Sequence, residues 1–459
     1  MIRFLEQLIA AIWNRFVARR RGARFEGGGV DLGCRVEDGQ VTRQHVRLGN
    51  VRRSMHIAVL GKTGSGKSSL LRYLAEQDIL ADRGFLYFDV HGTDTPLLLR
   101  AINARERREH RHLSGKTILI EPGDPVVSVG LNPLEGQGSD FVRIAELAQI
   151  LKNRWHLDSF GARTDELLRN SLYVLAANGL TLVELALLLT HARFRKACFK
   201  QVENADVRQY FELRYDQASE PMRATMREPI LNKTSAFTAD PHFRHIVGQA
   251  STFSMKQAMD EGFWVIVNLA KGRLGEQAMT LGSLVLSVVP HSVFTREQRS
   301  LFTLYCDEIQ NLVAFGSGIE TILSEGRKFQ VPIVSANQYL DQHSAEMRAA
   351  LLSVGTHVFF QLSSADAAQI AQMLDGGRSL AGRLKNLRQR HAIVKTGSED
   401  WDEIAVPTVR EPEVDSTDLV NRCRGLWGRS RVVIERAIVK RQSELLADTK
   451  EVLSRHEFD

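Results

Sequence analysis

The chain has 459 residues, 43% of them hydrophobic, and its 60 basic and 54 acidic side chains give a formal charge of +6. This length supports two or three domains with large cores, and the composition excludes the disordered and fibrous classes. The small positive excess is compatible with a polyanionic partner but does not require one. The four cysteines, at 34, 198, 306 and 423, are too widely spaced for a C-x-x-C motif, which indicates structural thiols in a reducing cytosol.

The first 25 residues combine an apolar helical pattern with a basic end. Apolar side chains recur at helical spacing from Phe4 to Phe16, and arginines follow from Arg15 to Arg24. A membrane-spanning helix needs about 20 consecutive apolar residues, and this stretch has no such run. Two interpretations stay open: a helix that docks on another part of a protein, or a basic amphipathic anchor on a membrane surface.

Eight short apolar runs, rich in β-branched and aromatic residues, are predicted strands. Their hydrophobicity is continuous rather than alternating, which is typical of strands covered on both faces. The sequence therefore predicts an α/β fold with a mostly parallel sheet flanked by helices. The runs lie at 56–61, 84–90, 117–122, 264–270, 301–308, 331–337, 356–362 and 391–396.

A long stretch between the third and fourth of these runs has helical periodicity and almost no strand signal. It begins after one core strand and ends before another, which predicts an all-helical domain inserted into the α/β core. The tail is predicted to be a helix that packs on the body of the protein or on a neighbouring subunit, or that is merely solvated. The expected order is an amphipathic helix with a basic linker (1–44), the first part of the core (45–138), the helical insert (139–255), the second part of the core (256–410) and a helical tail (411–459).

The segment VLGKTGSGKSSLL, residues 59–71, fits the phosphate-binding pattern G-x-x-x-x-G-K-[ST]. It follows a predicted strand and opens a helical pattern, so backbone N–H groups and a helix N-terminus would face the phosphates. Lys67 would reach the β- and γ-phosphates of ATP, and Ser68 would be a ligand of Mg2+. The predicted ATP-binding residues are Gly61, Lys62, Thr63, Gly64, Ser65, Gly66, Lys67, Ser68 and Ser69.

Two acids follow the predicted strand at 301–308. Asp307 can hold the Mg2+ shell, and Glu308 can polarise the attacking water as a general base. Adjacent carboxylates after a strand are also typical of a helix N-terminus, where they suit the helix dipole. That alternative stays open at this point.

Two further polar residues are candidates for a role in hydrolysis. Gln338 follows the predicted strand at 331–337, where its amide could orient water or sense the nucleotide; the alternative is a satisfied amide in a turn. Arg327, just before that strand, could neutralise transition-state charge in a neighbouring subunit. The alternative for Arg327 is an ordinary exposed helix residue.

Taken in order, several blocks of the sequence resemble those of the HerA/FtsK division of P-loop ATPases. Within that division they are most similar to the TraG/TraD-type coupling ATPases of type IV secretion and conjugation. The resemblance covers residues 45–400, and the ordered set is far more specific than the phosphate-binding loop alone. The blocks are HIAVLGKTGSGKSSLL, GFLYFDVHGTD, VGLNPLE, VIVNLAKGRLGE, LYCDEIQN, SEGRKF and SANQYL.

The resemblance implies a RecA-like core that binds ATP and Mg2+, with Asp307 and Glu308 as the Walker B pair. It also implies that Gln338 is the glutamine of the third motif and that Arg327 is an arginine finger acting in trans. The family further implies a homo-hexameric ring around DNA, contacted through its backbone without sequence preference. The helical insert would correspond to the all-α domain of the coupling ATPases.

The resemblance also covers the segment from Asp89 to Gly92, where the family has an acidic residue, a variable position, a basic residue or His, and Gly. A tight turn is the alternative role for this segment. Coupling ATPases usually begin with two membrane-spanning helices, and the sequence shows no match to them. The expectation is therefore a cytoplasmic protein that is either peripheral at the inner face of the membrane, through a membrane-embedded partner, or a soluble motor of the HerA kind.

Three functions follow from these observations. The first is an ATP-driven DNA translocase that acts as a ring. The alternatives are a secretion ATPase with protein cargo and a nucleotide-dependent scaffold that regulates a nuclease or another effector partner. The basic segment 103–116 is a candidate for DNA contact, although a solvated helix end is the plainer interpretation.

Overall fold

The computed structural model describes residues 28–136, 140–155, 157, 161–312, 319–397, 401–409 and 411–456, with side chains described up to 447. The helix predicted over the first 25 residues lies outside these ranges. The strands in the described part are β1 (Gly29–Glu37), β2 (Gln40–Gly49), β3 (Ile57–Leu60), β4 (Gly84–Asp89), β5 (Thr117–Ile120), β6 (Val127–Val129), β7 (Trp264–Asn268), β8 (Phe302–Asp307), β9 (Ile333–Asn337), β10 (Thr356–Phe359), β11 (His391–Thr396), β12 (Asp402–Ala405) and β13 (Gly428–Ser430).

Eleven of these strands form one sheet in the order β2-β1-β12-β11-β10-β3-β9-β8-β4-β7-β5. The seven strands from β10 to β5 in this order are all parallel to one another. The remaining four strands, β2, β1, β12 and β11, lie at the β10 side of the sheet and pair antiparallel. All eight predicted strands are present. The predicted fold class, a RecA-like P-loop core with a mostly parallel sheet and an inserted helical domain, is confirmed.

The continuous hydrophobicity of the central strands reflects burial on both faces. Along β4, Phe85 and Tyr87 pack in the apolar cluster on one face of the sheet, while Leu86 and Phe88 pack in the cluster on the other face. All four side chains are fully buried. Successive residues of a strand point to opposite faces, so both faces must be covered by helices.

Residues 28–44, predicted to belong to a linker, contain β1 and the first half of β2. The prediction missed this hairpin because its strands do not read as apolar runs. In β1, buried Val30 and Leu32 alternate with more polar positions, and β2 is a mostly exposed edge strand. A half-buried strand shows alternation and not continuity.

Twenty α-helices lie in the described part of the chain. Those of the sheet layers before the insert are α1 (Asn50–Arg53), α2 (Lys67–Leu80) and α3 (Thr95–Glu109). Those between β6 and β7 are α4 (Asp140–Arg154), α5 (Ala162–Ala177), α6 (Leu185–Thr190), α7 (Ala192–Cys198), α8 (Ala205–Gln209), α9 (Glu220–Thr238), α10 (Pro241–Val247) and α11 (Met255–Asp260). The later helices are α12 (Lys271–Leu274), α13 (Gln277–Ser287), α14 (Val289–Thr295), α15 (Ile319–Glu325), α16 (Ala345–Leu352), α17 (Ser364–Met373), α18 (Gly377–Lys385), α19 (Thr417–Trp427) and α20 (Arg431–His456).

The insert shares one apolar core with the sheet. Ile144, Leu147 and Leu151 of α4 belong to the same buried cluster as Phe88 of β4 and Val267 of β7. Within the described ranges, no strand lies between Val129 and Trp264. The insert is therefore helical, as predicted, and it packs directly on one face of the sheet.

The tail folds back onto the body of the protein. After α19, strand β13 pairs with β6, and α20 then buries Ile434 and Ile438 against Val183 of the insert. Arg244 and Glu435 add a bidentate ion pair between the two parts. Of the alternatives for the tail, the structure shows packing on the body.

One helical stretch in the described part, Gln277–Thr295, is long and apolar enough by composition to cross a membrane. It spans α13 and α14, and 78% of its apolar window is buried inside the protein. The same length and composition are found in core helices of soluble proteins, so this stretch is weak evidence for a membrane span.

A fully buried ionic network ties the helix after the phosphate loop to the sheet. Arg53 donates to both carboxylate oxygens of Asp78 in α2, and it also donates to Thr303 Oγ1 at 2.7 Å and Tyr305 Oη at 2.8 Å in β8. Burial alone would raise the pKa of Asp78, but the charges of Arg53 and Arg83 outweigh it and hold the pKa below its usual range. The network therefore fixes α2 against β8.

We expect Arg53→Met to lower the free energy of unfolding by about 3–5 kcal/mol, because it leaves the Asp78 carboxylate buried with one cation fewer. The pKa of Asp78 is lower in the folded protein, so this stabilisation is complete above the unfolded pKa of about 3.9 and fades as pH falls through the folded value. Denaturant titration at neutral pH measures the loss. Arg111→Met, which removes an exposed ion pair with Glu109, is the control and should change stability by about 1 kcal/mol at most. Equal midpoints for the two variants would contradict the prediction.

Candidate nucleotide site

The register of the parallel strands brings the predicted site residues to one edge of the sheet. Leu60 of β3 pairs with Asn337 of β9, and Ala336 pairs with Asp307 of β8. The phosphate loop, Gln338 and Glu308 therefore lie directly after the carboxyl ends of three adjacent strands. This edge is where ligands bind in open α/β sheets.

The phosphate loop runs from the end of β3 to the start of α2. Gly64 and Gly66 have φ of +76° and +119°, a region that side chains with a Cβ rarely adopt, and α2 begins directly afterwards at Lys67. The Lys67 ammonium donates to the carbonyls of Gly61 at 2.7 Å and Lys62 at 3.0 Å. The loop is thus curled around the lysine at the N-terminal end of a 14-residue helix.

Ser68 and Asp307 are in direct contact, although 239 positions separate them in the chain. The Ser68 hydroxyl donates to Asp307 Oδ2 at 2.5 Å. Burial raises the pKa of Asp307, opposed by Ser68 and Lys67, and burial lowers the pKa of Lys67, opposed by Asp307 and Glu308. These groups form a desolvated polar cluster in which electrostatic interactions are stronger than in water.

Glu308 lies in a strained backbone conformation at the end of β8. Its φ and ψ are 50° and 51°, the left-handed region, which costs a residue other than glycine about 1–3 kcal/mol and occurs often at functional sites. Gln338 Nε2 donates to Glu308 Oε1 at 2.8 Å. The helix N-terminus alternative therefore does not account for Asp307 and Glu308, since one contacts the loop serine and the other contacts Gln338.

The segment from Asp89 to Gly92 makes a tight turn and also reaches the site. Asp89 accepts hydrogen bonds from the backbone N–H groups of Gly92, Asp94 and Thr95, which closes the turn and caps α3. His91 Nε2 lies 3.7 Å from Glu308 Oε1. The turn interpretation holds for Asp89, while His91 is a neighbour of the predicted base.

Arg327 does not join this cluster. It lies exposed in a 3₁₀ turn, Gly326–Phe329, between α15 and β9. In the described part of the chain, no hydrogen bond or ion pair connects its side chain to the phosphate loop, Asp307 or Glu308. A role in a neighbouring subunit stays a prediction for Arg327.

The basic segment 103–116 forms internal ion pairs. Arg105, Arg111 and Lys116 all approach Asp82, at 2.9, 3.5 and 3.0 Å. Arg105 is itself buried. These basic side chains are paired with Asp82, and Arg105 is buried, so the segment is neither a merely solvated helix end nor supported as a DNA contact.

Sequence reasoning missed two groups of residues next to the site. Asn311 Nδ2 donates to Glu308 Oε2 at 2.7 Å. Gln389 Nε2 donates to the carbonyl of Gly64 at 3.0 Å, and Arg390 N donates to the carbonyl of Ser65 at 2.8 Å, so the segment before β11 supports the phosphate loop. Asn311 lies within the sequence block LYCDEIQN and could have been found there. The contact between Gln389 and Gly64 spans 325 positions, so no local sequence pattern indicates it.

The residues present fit a nucleotide with Mg2+. The loop brings the N-terminus of α2 and the Lys67 ammonium close together, and both can bind the negative charge of phosphate groups. Gly66 could not carry a side chain without strain, since an added Cβ would lie 3.0 Å from Arg390 Cα. Ser68 and Asp307 offer adjacent hydroxyl and carboxylate oxygens, the ligands that Mg2+ prefers.

Residues 39–241 match the family model described as "Helicase HerA, central domain". The matched range covers the phosphate loop and most of the helical insert. A comparison with curated protein sequences gives no match.

Solved structures of two kinds share the fold. The plasmid coupling protein TrwB, in complex with the non-hydrolysable GTP analogue GDPNP, has a TM-score of 0.60 and 19% identity over 86% of this chain and 99% of that one. TrwB with ADP and Mg2+ has the same TM-score and identity over 84% and 97% of the two chains. VirB4 of Thermoanaerobacter pseudethanolicus has a TM-score of 0.56 and 15% identity over 84% and 97%.

These comparisons agree with the site geometry. The matched HerA range carries the phosphate loop. Residues 39–241 are therefore similar to the central domain of HerA, and the chain shares the fold of the TrwB and VirB4 structures.

Proposed function

We propose that the protein is an ATP-driven DNA translocase that acts as a homo-hexameric ring. The observation that carries the proposal is the joined cluster of Ser68, Asp307, Glu308 and Gln338 at the sheet edge, in a chain with the HerA and coupling-protein fold. The cluster contains a phosphate loop, a metal ligand, a base and a polar amide, which are the parts that ATP hydrolysis needs.

In this proposal the chain's own residues bind, orient and accept a proton. Lys67 and the N-terminus of α2 bind the phosphates, and Ser68 with Asp307 would hold Mg2+, which neutralises phosphate charge when bound. Glu308 accepts the proton of the water whose oxygen attacks the γ-phosphorus, while the bond from that phosphorus to the β-phosphate oxygen breaks. Gln338 holds the Glu308 carboxylate in position at 2.8 Å.

The ring is proposed because Arg327 lies outside its own site. If this exposed arginine serves hydrolysis, it does so in a neighbouring copy, and a heterologous contact of that kind forms a ring when its rotation closes. DNA would be held through backbone phosphates, in line with the family and the +6 charge. A membrane-embedded protein or a nuclease is the proposed further partner.

Nucleotide binding and turnover should separate in two variants. Lys67→Ala should weaken ATP binding about 10- to 100-fold, since it removes hydrogen bonds from a charged group to the phosphates. Glu308→Gln should bind ATP normally and lose turnover, because the amide cannot accept the proton. Calorimetric binding and a phosphate-release assay measure the two effects. Lys440→Ala, an exposed lysine of α20, should match the wild type in both. Normal hydrolysis by Glu308→Gln would refute the assignment of the base.

DNA should stimulate ATP turnover in the assembled protein. The stimulation is expected with generic duplex or single-stranded DNA, and it should fall steeply between about 50 and 200 mM salt, because backbone contacts release counterions. Phosphate release, measured on an oligomer verified by light scattering, is the assay. If neither duplex nor single-stranded DNA changes the rate of ATP turnover, the result would favour the alternatives, a secretion ATPase with protein cargo or a regulatory scaffold, over a DNA motor.

Mixing two inactive variants tests the proposed role of Arg327. Arg327→Ala keeps an intact phosphate loop and Lys67→Ala keeps an intact Arg327, so random rings should contain both groups at about a quarter of their interfaces if the arginine acts in trans. ATP turnover should then exceed that of either variant alone. Lys328→Ala, in the same turn, is the control and should stay active. A mixture no more active than its components would exclude the trans role.

A further inference from the structure

The Glu308 carboxylate is held on both of its oxygens. Gln338 donates to Oε1 at 2.8 Å, and Asn311 donates to Oε2 at 2.7 Å. The side chain of Glu308 is only 16% exposed, so water competes little with these two amides. Each oxygen keeps a second lone pair for water, but an amide that donates to a carboxylate stabilises it relative to the protonated acid. The hydrogen bond from Asn311 therefore positions the Glu308 carboxylate and opposes its uptake of a proton.

Asn311 is itself fixed by the helical insert. It ends the 3₁₀ turn Ile309–Asn311, which starts from Glu308, and its backbone N–H donates to the Glu308 carbonyl at 2.8 Å. Arg154, the last residue of α4, donates from Nη1 to the Asn311 carbonyl at 3.0 Å. A cation on the final carbonyl of a helical turn stabilises that turn. The contact spans 157 positions in the chain and joins the insert to the turn that carries the base.

The next residue is held from a second direction. Ser283 of α13 donates its hydroxyl to the Leu312 carbonyl at 2.7 Å, and the Leu312 side chain is fully buried. Leu312 is thus anchored to α13, while Asn311 is anchored to the insert. Asn311 is the residue of this pair that receives a hydrogen bond from α4.

We propose that Arg154 and Asn311 are positioning residues through which the helical insert restrains Glu308, so that the position of α4 sets the rate of ATP hydrolysis. This inference rests on the proposed function, because it takes Glu308 as the base. The residues of the phosphate loop take no part in the link. It therefore acts on turnover and not on ATP binding.

Arg154→Met tests the link, since methionine keeps an apolar stem and removes the guanidinium. We expect the kcat for ATP without DNA to rise about tenfold, the rate equivalent of one lost hydrogen bond to a charged group, with KM unchanged. Asn311→Ala should behave in the same way, and Arg154→Lys, which keeps a donor, should restore the wild-type rate in part.

Lys152→Met is the matched control, because Lys152 lies on the same helix and pairs with Asp165 at 2.5 Å. It should leave kcat and KM unchanged. An Arg154→Met protein with wild-type or lower kcat would overturn the inference, since a merely structural contact cannot raise the rate when it is lost. If Asn311→Ala does not fold, Arg154→Met decides alone. Failure of the proposed function is distinct: the wild type would then show no ATP turnover, or Glu308→Gln would hydrolyse ATP normally.

Discussion

The parallel register of β3, β9 and β8 is the constraint on which the site depends. It sets the phosphate loop, Gln338 and Glu308 directly after paired strand ends, and it lets Ser68 reach Asp307 at 2.5 Å. A slip of one residue in β8 would turn the side chain of Asp307 to the other face of the sheet. The polar cluster therefore exists only while three strands, distant in sequence, keep this alignment.

The buried network around Arg53 stabilises the position of α2 relative to β8. Arg53 connects Asp78 in α2 with Thr303 and Tyr305 in β8, so the helix that carries Lys67 and the strand that carries Asp307 share one set of hydrogen bonds. Buried charges contribute little net stability compared with apolar residues, but they tolerate few alternative arrangements. For this protein, the value of the network lies in geometry: it fixes the distance between the loop and the acids.

The sequence predicted most of the central sheet and picked out side chains that the fold brings together at its edge, for physical reasons that differ between elements. Strands buried on both faces, such as β4 and β8, are visible as continuous apolar runs, and the phosphate loop has a pattern of fixed spacing. The hairpin of β1 and β2 was missed because β1 alternates buried and more polar residues and β2 is a mostly exposed edge strand.

Contacts between segments that are distant in the chain could not be predicted from the sequence either. The bond from Gln389 to Gly64 and the bond from Arg154 to Asn311 depend on how distant segments meet, and no local spacing records them. The role proposed for Arg327 involves a second copy of the chain, and no pattern within one sequence records such a contact. Features with a local sequence pattern could thus be predicted, whereas hydrogen bonds between distant elements could not.

The shared core of sheet and insert limits how the two can move. Helix α4 packs its apolar side chains into the same buried cluster as β4 and β7. A large apolar interface resists rigid-body swinging, because opening it would expose that surface. Shifts of about 1–2 Å between packed helices cost far less and are a common means of switching. Hydrogen bonds that cross such an interface, as Arg154 does, respond to shifts of this size because their strength falls steeply with distance and angle. In this fold, a signal from the insert to the nucleotide site therefore travels by sliding and by polar contacts rather than by domain opening.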